Sequence, residues 1–182
     1  MALNKQLQNE LLTMQEEDQR VLQELIDCGE LGETEYHPRM KAVHEKNNIR
    51  IKEIINKFGW PGFSLVGKEG SKAAWLIVQH AVLDTKFMDE CLPLLKEAIN
   101  HGEAEGWCFA YLQDRVLTMS NKPQIYGTQH DIDKNGIAYP LPIEKPDQVE
   151  ILRKEIGIEP LSIATKRIQE RHDVTVANRE TT

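Results

Sequence analysis

Two short runs place titratable and amide side chains among apolar neighbours. The first is Gln79-His80, preceded by Ala73-Ala74-Trp75-Leu76-Ile77-Val78 and followed by Ala81-Val82-Leu83 and Asp84. The second is Gln113-Asp114-Arg115, set between the run Trp107 to Leu112 and Val116-Leu117. A helix that is apolar on nearly all sides is a buried one. Burying an unpaired neutral amide or hydroxyl costs about 2–7 kcal/mol, and a charge costs more. These groups must therefore pair with one another or line a wet cleft. His80 and Asp84 stand four residues apart, which puts them on one face of a helix. Such a carboxylate fixes the imidazole tautomer and raises its basicity, as general acid–base chemistry requires. If Asp84 instead caps a following helix, the pairing fails and His80 is an ordinary core histidine.

Asp114 and Arg115 are adjacent, so they point about 100° apart on a helix and each needs its own partner. Asp114 is a second candidate for orienting His80. The planar fork of Arg115 suits a carboxylate or a phosphate. Its other reading is an internal ion pair with Asp18 or Asp84. Downstream, Gln124–Gln129 and Ile137–Leu141 flank an Asn135-Gly136 turn signal and read as a β-hairpin. Its Tyr126, Thr128 and Gln129, together with Gln79, can supply hydrogen bonds to a bound molecule. The turn segment Asp131 to Gly136 resembles the start of a calcium loop, but Pro142 stands where the closing Glu belongs.

Metal motifs are missing from the sequence pattern. His37 and His44 are seven apart, and there is no H-E-x-x-H and no Cys/His cluster. The expectation is no metal and no cofactor. Cys28, Cys91 and Cys108 lack C-x-x-C spacing and read as free thiols.

The elements that must position these groups are mostly helices. Leu3, Leu7, Leu11, Met14, Val21 and Leu25 recur at threes and fours over residues 3–27, with Asp18 in the place of one apolar member. A second stripe, Met40, Val43, Ile51, Ile54 and Phe58, is interrupted at Asn47. A turn at Gly29 and Gly32 would make the two an antiparallel pair, with Asp18 and Asn47 at nearly the same height. They then form either a polar pair that fixes register or part of a site. Further helices are expected at 73–83 (capped by Ser71), 85–100, 103–119 and 147–157. The reading is a mainly α (α+β) single globular domain over 1–170, with five or six helices and one docked β-hairpin, and a flexible tail over 171–182.

The chain has 182 residues, with 22 Lys+Arg against 29 Asp+Glu and a formal charge of −7. That balance argues against a nucleic-acid partner. There is no long apolar run and no leader pattern at Met1–Leu12, so no membrane role and a cytoplasmic location are expected.

Several of these segments, taken in order, carry a resemblance. EEDQR (16–20), FGWP (58–61), SLVG (64–67), VQHA (78–81) with Asp84, AYLQDR (110–115) and QIYGTQ (124–129) resemble a bacterial family of unknown function, number 6624. A looser match continues through Pro142-Ile143 and Arg153, Gly157, Pro160 and Leu161. Met88 departs from the pattern, where Gln is expected. The resemblance implies the family's fold and brings no activity. It implies that Asp18, Gln79, His80, Asp84, Asp114, Arg115, Tyr126, Thr128 and Gln129 belong to the family pattern.

Two functions fit. One is a metal-independent hydrolase or group transferase acting on a small anionic molecule. In it His80 is acid or base, oriented by Asp84 or Asp114, and Arg115 clamps the anion with Asp18, Gln79, Tyr126, Thr128 and Gln129 nearby. The alternative is a non-catalytic binding protein of accessory or immunity type, with a structural polar core and a protein partner.

Overall fold

The structure is a computed structural model that describes residues 2–30 and 36–180, with side chains to residue 177. The chain divides into two compact units, Met1–Glu105 and Gly106–Thr182. It is mainly helical with one small antiparallel hairpin. The described residues form seven helices rather than five or six.

The N-terminal unit holds α1 (Lys5–Asp27), α2 (Pro38–Phe58), α3 (Phe63–Gln79) and α4 (Thr85–Asn100). Asn4 starts α1 by accepting the Leu7 N–H at 3.1 Å. The buried face of α1 is Leu7, Gln8, Leu11, Met14, Asp18, Val21 and Leu25; Leu3, the first member of the stripe read from the sequence, precedes the helix and is exposed. On α2 the buried face is Met40, Val43, Asn47, Ile51 and Ile54, joined by Ile55, while Phe58, expected in that stripe, is exposed at the helix end. Val21, Leu25, Met40 and Val43 form one cluster near the α1–α2 connection. The turn expected at Gly32 lies outside the described residues. α3 packs against α1 most extensively, and also against α2 and α4.

α3 departs from expectation at both ends. It begins at Phe63, with Gly62 as N-cap, and Ser71 is buried inside it rather than capping it. Gly67 breaks the helical path at φ 72°, which glycine adopts without penalty. The helix then ends at Gln79, not near residue 83. His80 N–H bonds back to Leu76 and Ile77 carbonyls, and Ala81 N–H to Val78. The next helix claims Asp84 as its N-cap, where the carboxylate accepts Phe87 N–H at 3.1 Å. A cap residue sits outside helical geometry, so α3 cannot run through it.

Cys91 is buried in α4, and burial pushes its thiol up to about 12. Cys28 is exposed. Native protein at pH 8 is expected to alkylate Cys28 within minutes and leave Cys91 unlabelled until denaturant is added; peptide mapping by mass spectrometry reads both. Labelling of Cys91 at the rate of Cys28 would contradict this packing.

The C-terminal unit holds α5 (Gly106–Met119), β1 (His130–Ile132), β2 (Ala138–Pro140), α6 (Val149–Glu155) and α7 (Leu161–Glu180). β1 and β2 pair antiparallel, with Asp131 opposite Tyr139, around a turn that places Gly136 at φ 80°. The hairpin is thus shorter than expected. Residues 124–129 form no strand beyond a single bridge between Gln124 and Ile143. The hairpin rests on α7, where Gln169 accepts Ala138 N–H at 2.7 Å and donates to Gly136 O at 2.8 Å. Residues 171–180, read from the sequence as a tail, continue α7 as helix. Gln169 donates to Asp173, and Thr175 bonds back to Arg171 O, so local side-chain contacts extend across that boundary. No described helix is long and apolar enough to cross a membrane.

Candidate functional site

Asp18 occupies an apolar position of the α1 stripe, so the packing of α1 carries its carboxylate out of water entirely. The end of α3 meets it. As the C-cap of α3, His80 has left the helical path, and its Nδ1 lies 2.9 Å from both oxygens of Asp18. From α2, His44 brings Nε2 to 2.8 Å from Asp18 Oδ2. The two imidazole rings stand 5.0 Å apart, centre to centre. The Gln19 amide donates to Asp18 Oδ1 at 2.9 Å, and the Tyr36 hydroxyl contacts His44 Nδ1. Residues from three helices and the segment preceding α2 thus converge on one buried carboxylate.

Burial by itself would push the Asp18 carboxyl up. The His44 and His80 rings and the Gln19 amide outweigh it and hold Asp18 well below the ordinary carboxylate range. Tyr36 moves the other way, pushed up to about 12 by burial and by the negative charge of Asp18 and Glu45, so it stays a neutral phenol. An ionised carboxylate can only accept. A neutral His80 therefore carries its proton on Nδ1, facing Asp18, and its lone pair on Nε2. Among the described residues no group hydrogen-bonds to that Nε2, and the His80 side chain is 20% exposed. This arrangement can accept and return a proton at Nε2.

Asp84 does not orient His80. The end of α3 at Gln79 removes the shared helix face, and Asp84 is taken by the Phe87 N–H, by Lys52 Nζ and by Asn48. Those partners hold its carboxyl low, the Lys52 contact foremost. The expected facing pair of Asp18 and Asn47 does not form either. Asn47 instead reaches the Met14 carbonyl of α1 at 3.5 Å. Gln79 is buried at the last turn of α3.

The other expected site residues belong to the C-terminal unit, where backbone amides take Asp114. Fully buried, it accepts Ile125 N–H at 2.8 Å, Tyr126 N–H at 3.1 Å to each oxygen, and Thr128 N–H at 2.9 Å. The segment expected to be a strand instead wraps this carboxylate, which is why Tyr126 and Thr128 are held by their backbones. Arg115 Nε donates to Gln129 Oε1 at 3.2 Å, and Gln129 Nε2 to Thr128 Oγ1 at 3.0 Å. Burial lowers the Arg115 guanidinium from its ordinary value.

The same loop is gripped from outside by residues the sequence reading did not place in a site. Arg153, buried in α6, donates to the carbonyls of Tyr126 at 2.6 Å, Gly127 at 3.1 Å and Glu159 at 2.8 Å. The Gln124 side chain bonds Gln129 O, Leu141 O and Gln129 N–H, each at 2.9 Å. Gly127 sits at φ 67°, and a Cβ there would come within 2.9 Å of Leu161 Cδ1 and 3.1 Å of Ile143 Cδ1. Gly127→Ala is expected to cost about 1–3 kcal/mol through backbone strain and contact. Urea unfolding followed by circular dichroism would read it, and an unchanged midpoint would contradict the loop geometry. His44 was also missed. Its signal was its place on α2, four residues after Met40 and three before Asn47, beside the polar gap in the stripe.

One family model matches the chain, over residues 5–176. No curated protein and no solved structure matches it.

Proposed function

The chain belongs to DUF6624, a family of unknown function, so its chemistry has to come from its own residues, and we propose that it is a hydrolase or group transferase in which His80 is the general acid–base residue and Asp18 orients it. The observation that carries this reading is the Asp18–His80 contact. A buried, ionised carboxylate holds Nδ1 at 2.9 Å and turns Nε2 outward. A carboxylate in that place fixes the tautomer and stabilises the imidazolium formed when Nε2 takes a proton from water or a substrate hydroxyl. His44 adds a second imidazole against the same carboxylate. The small anionic substrate expected from the sequence remains the class to screen first.

The test is a panel of small phosphate esters, carboxylate esters and nucleotides, read by turnover and by thermal shift. Turnover of at least one is expected, falling about 10²–10⁴-fold in His80→Ala; since that change also takes a partner from the buried Asp18 carboxylate, circular dichroism first checks that the variant is folded. Turnover that persists in His80→Ala would remove His80 from the chemistry.

A second reading, a non-catalytic interaction protein, is favoured by Asp114. Its oxygens are occupied by backbone amides, as in a structural polar core. Absence of any turnover or ligand-induced stabilisation across the panel would favour that reading.

A further inference from the structure

We propose that Asp18, His44 and His80 bind one zinc-like divalent transition ion, through Asp18 Oδ2, His44 Nε2 and His80 Nδ1. The site goes beyond the acid–base reading and takes the same centre, which it uses differently. One ligand atom from each of the three side chains lies within 4.8 Å of the others. Two imidazole nitrogens and a carboxylate oxygen are the donor set that zinc and its first-row neighbours prefer.

Two imidazoles crowd one buried carboxylate oxygen. His44 Nε2 lies 2.8 Å from Asp18 Oδ2 in a contact short of aligned hydrogen-bond geometry, and His80 Nδ1 lies 2.9 Å from the same oxygen. The His44 side chain is 10% exposed, so water reaches this contact poorly. A cation among the three atoms would meet both ring nitrogens and the carboxylate oxygen at once. The outer contacts suit that state. The Tyr36 hydroxyl oxygen can accept a hydrogen bond from His44 Nδ1–H, the tautomer that leaves the Nε2 lone pair free. Gln19 holds the other oxygen of Asp18. Partners of this kind orient metal ligands in established sites.

Two of the three ligand separations need only a small adjustment to admit an ion, and the third, between the two imidazole nitrogens, lies within 4.8 Å. Bonds of about 2.0–2.1 Å at tetrahedral angles separate ligand atoms by roughly 3.3–3.4 Å. Asp18 Oδ2 now lies 2.8 Å from His44 Nε2 and 2.9 Å from His80 Nδ1. Opening each by about half an ångström is within the reach of side-chain torsions. Three protein ligands leave at least one position for water or a substrate oxygen. When the ion binds, the His80 ring gives its Nδ1 lone pair to the metal and carries its proton on Nε2 instead, with no net change in the ring's charge. His80 then acts as a ligand, and a water in the open position would serve as the base in its place.

The experiment loads the full chain with zinc after chelation, followed by dialysis and elemental analysis, with cobalt(II) as a spectroscopic probe. Expected are one ion per chain and visible absorption of low-symmetry cobalt with nitrogen ligands. His44→Ala and Asp18→Asn should each weaken binding by about 100-fold or more. His44→Ala, which leaves the α1 stripe intact, serves if Asp18→Asn fails to fold, and circular dichroism checks both. Zinc retained no better than by a chain lacking the site, or bound equally by wild type and a folded His44→Ala, overturns the proposal. The acid–base reading fails on a different result. Turnover by chelated protein that is lost in His80→Ala keeps that reading even when no zinc binds. Turnover of chelated protein that survives in His80→Ala removes it even when zinc does bind.

Discussion

Asp114→Ala is expected to lower the melting temperature of the C-terminal unit by about 10 °C or more. The substitution leaves the N–H groups of Ile125, Tyr126 and Thr128 without their acceptor. Each buried donor left unsatisfied costs about 1–3 kcal/mol, and removing one partner of a buried charged network costs about 3–5 kcal/mol. For a domain of this size each kcal/mol shifts the midpoint by roughly 4–8 °C. Asp114→Asn should be nearly as damaging. The new amide group faces N–H donors on one side and can accept only on the other. Differential scanning calorimetry of both variants would test this. Wild-type melting in Asp114→Asn, combined with lost turnover, would instead make Asp114 a reacting group, as the sequence reading allowed.

The second large effect is at Asp18. In chelator, Asp18→Leu is expected to cost about 3–5 kcal/mol at pH 7, because it strands two imidazoles against an apolar group. Asp18→Asn should cost less, since its carbonyl oxygen can still accept from His80 Nδ1. The gap between wild type and Asp18→Asn should depend on acid in a definite direction. The folded carboxyl lies below its ordinary value near 3.8. Its contribution is therefore fully present above that value and is lost as the pH falls through the folded value. Urea midpoints of the two proteins should converge progressively below about pH 4. A gap that stays constant down to pH 2 would show that the Asp18 carboxyl gains nothing from the two rings.

These two carboxylates also separate what is local from what is not. The helical class, the α1 stripe with its single acidic member at Asp18, and the turn at Asn135-Gly136 could be read from residue spacing. Helical periodicity and turn chemistry act over a few residues and leave a direct trace in the sequence. The same is true of Asp84 as a cap, one of its two readings. The sequence carried no comparable trace of which acid meets His80. The i,i+4 rule offered Asp84, and the rule applies only while the helix continues. Gln79 ends α3, and packing of α3 on α1 brings in Asp18 from 62 residues away instead. Asp114 likewise found no side-chain partner by spacing. The chain after α5 folds around it and supplies backbone amides, groups that every residue but proline carries and no sequence pattern marks. Local propensity thus determined where the helices run and which faces are buried, while helix ends and helix packing decided which polar groups share a site.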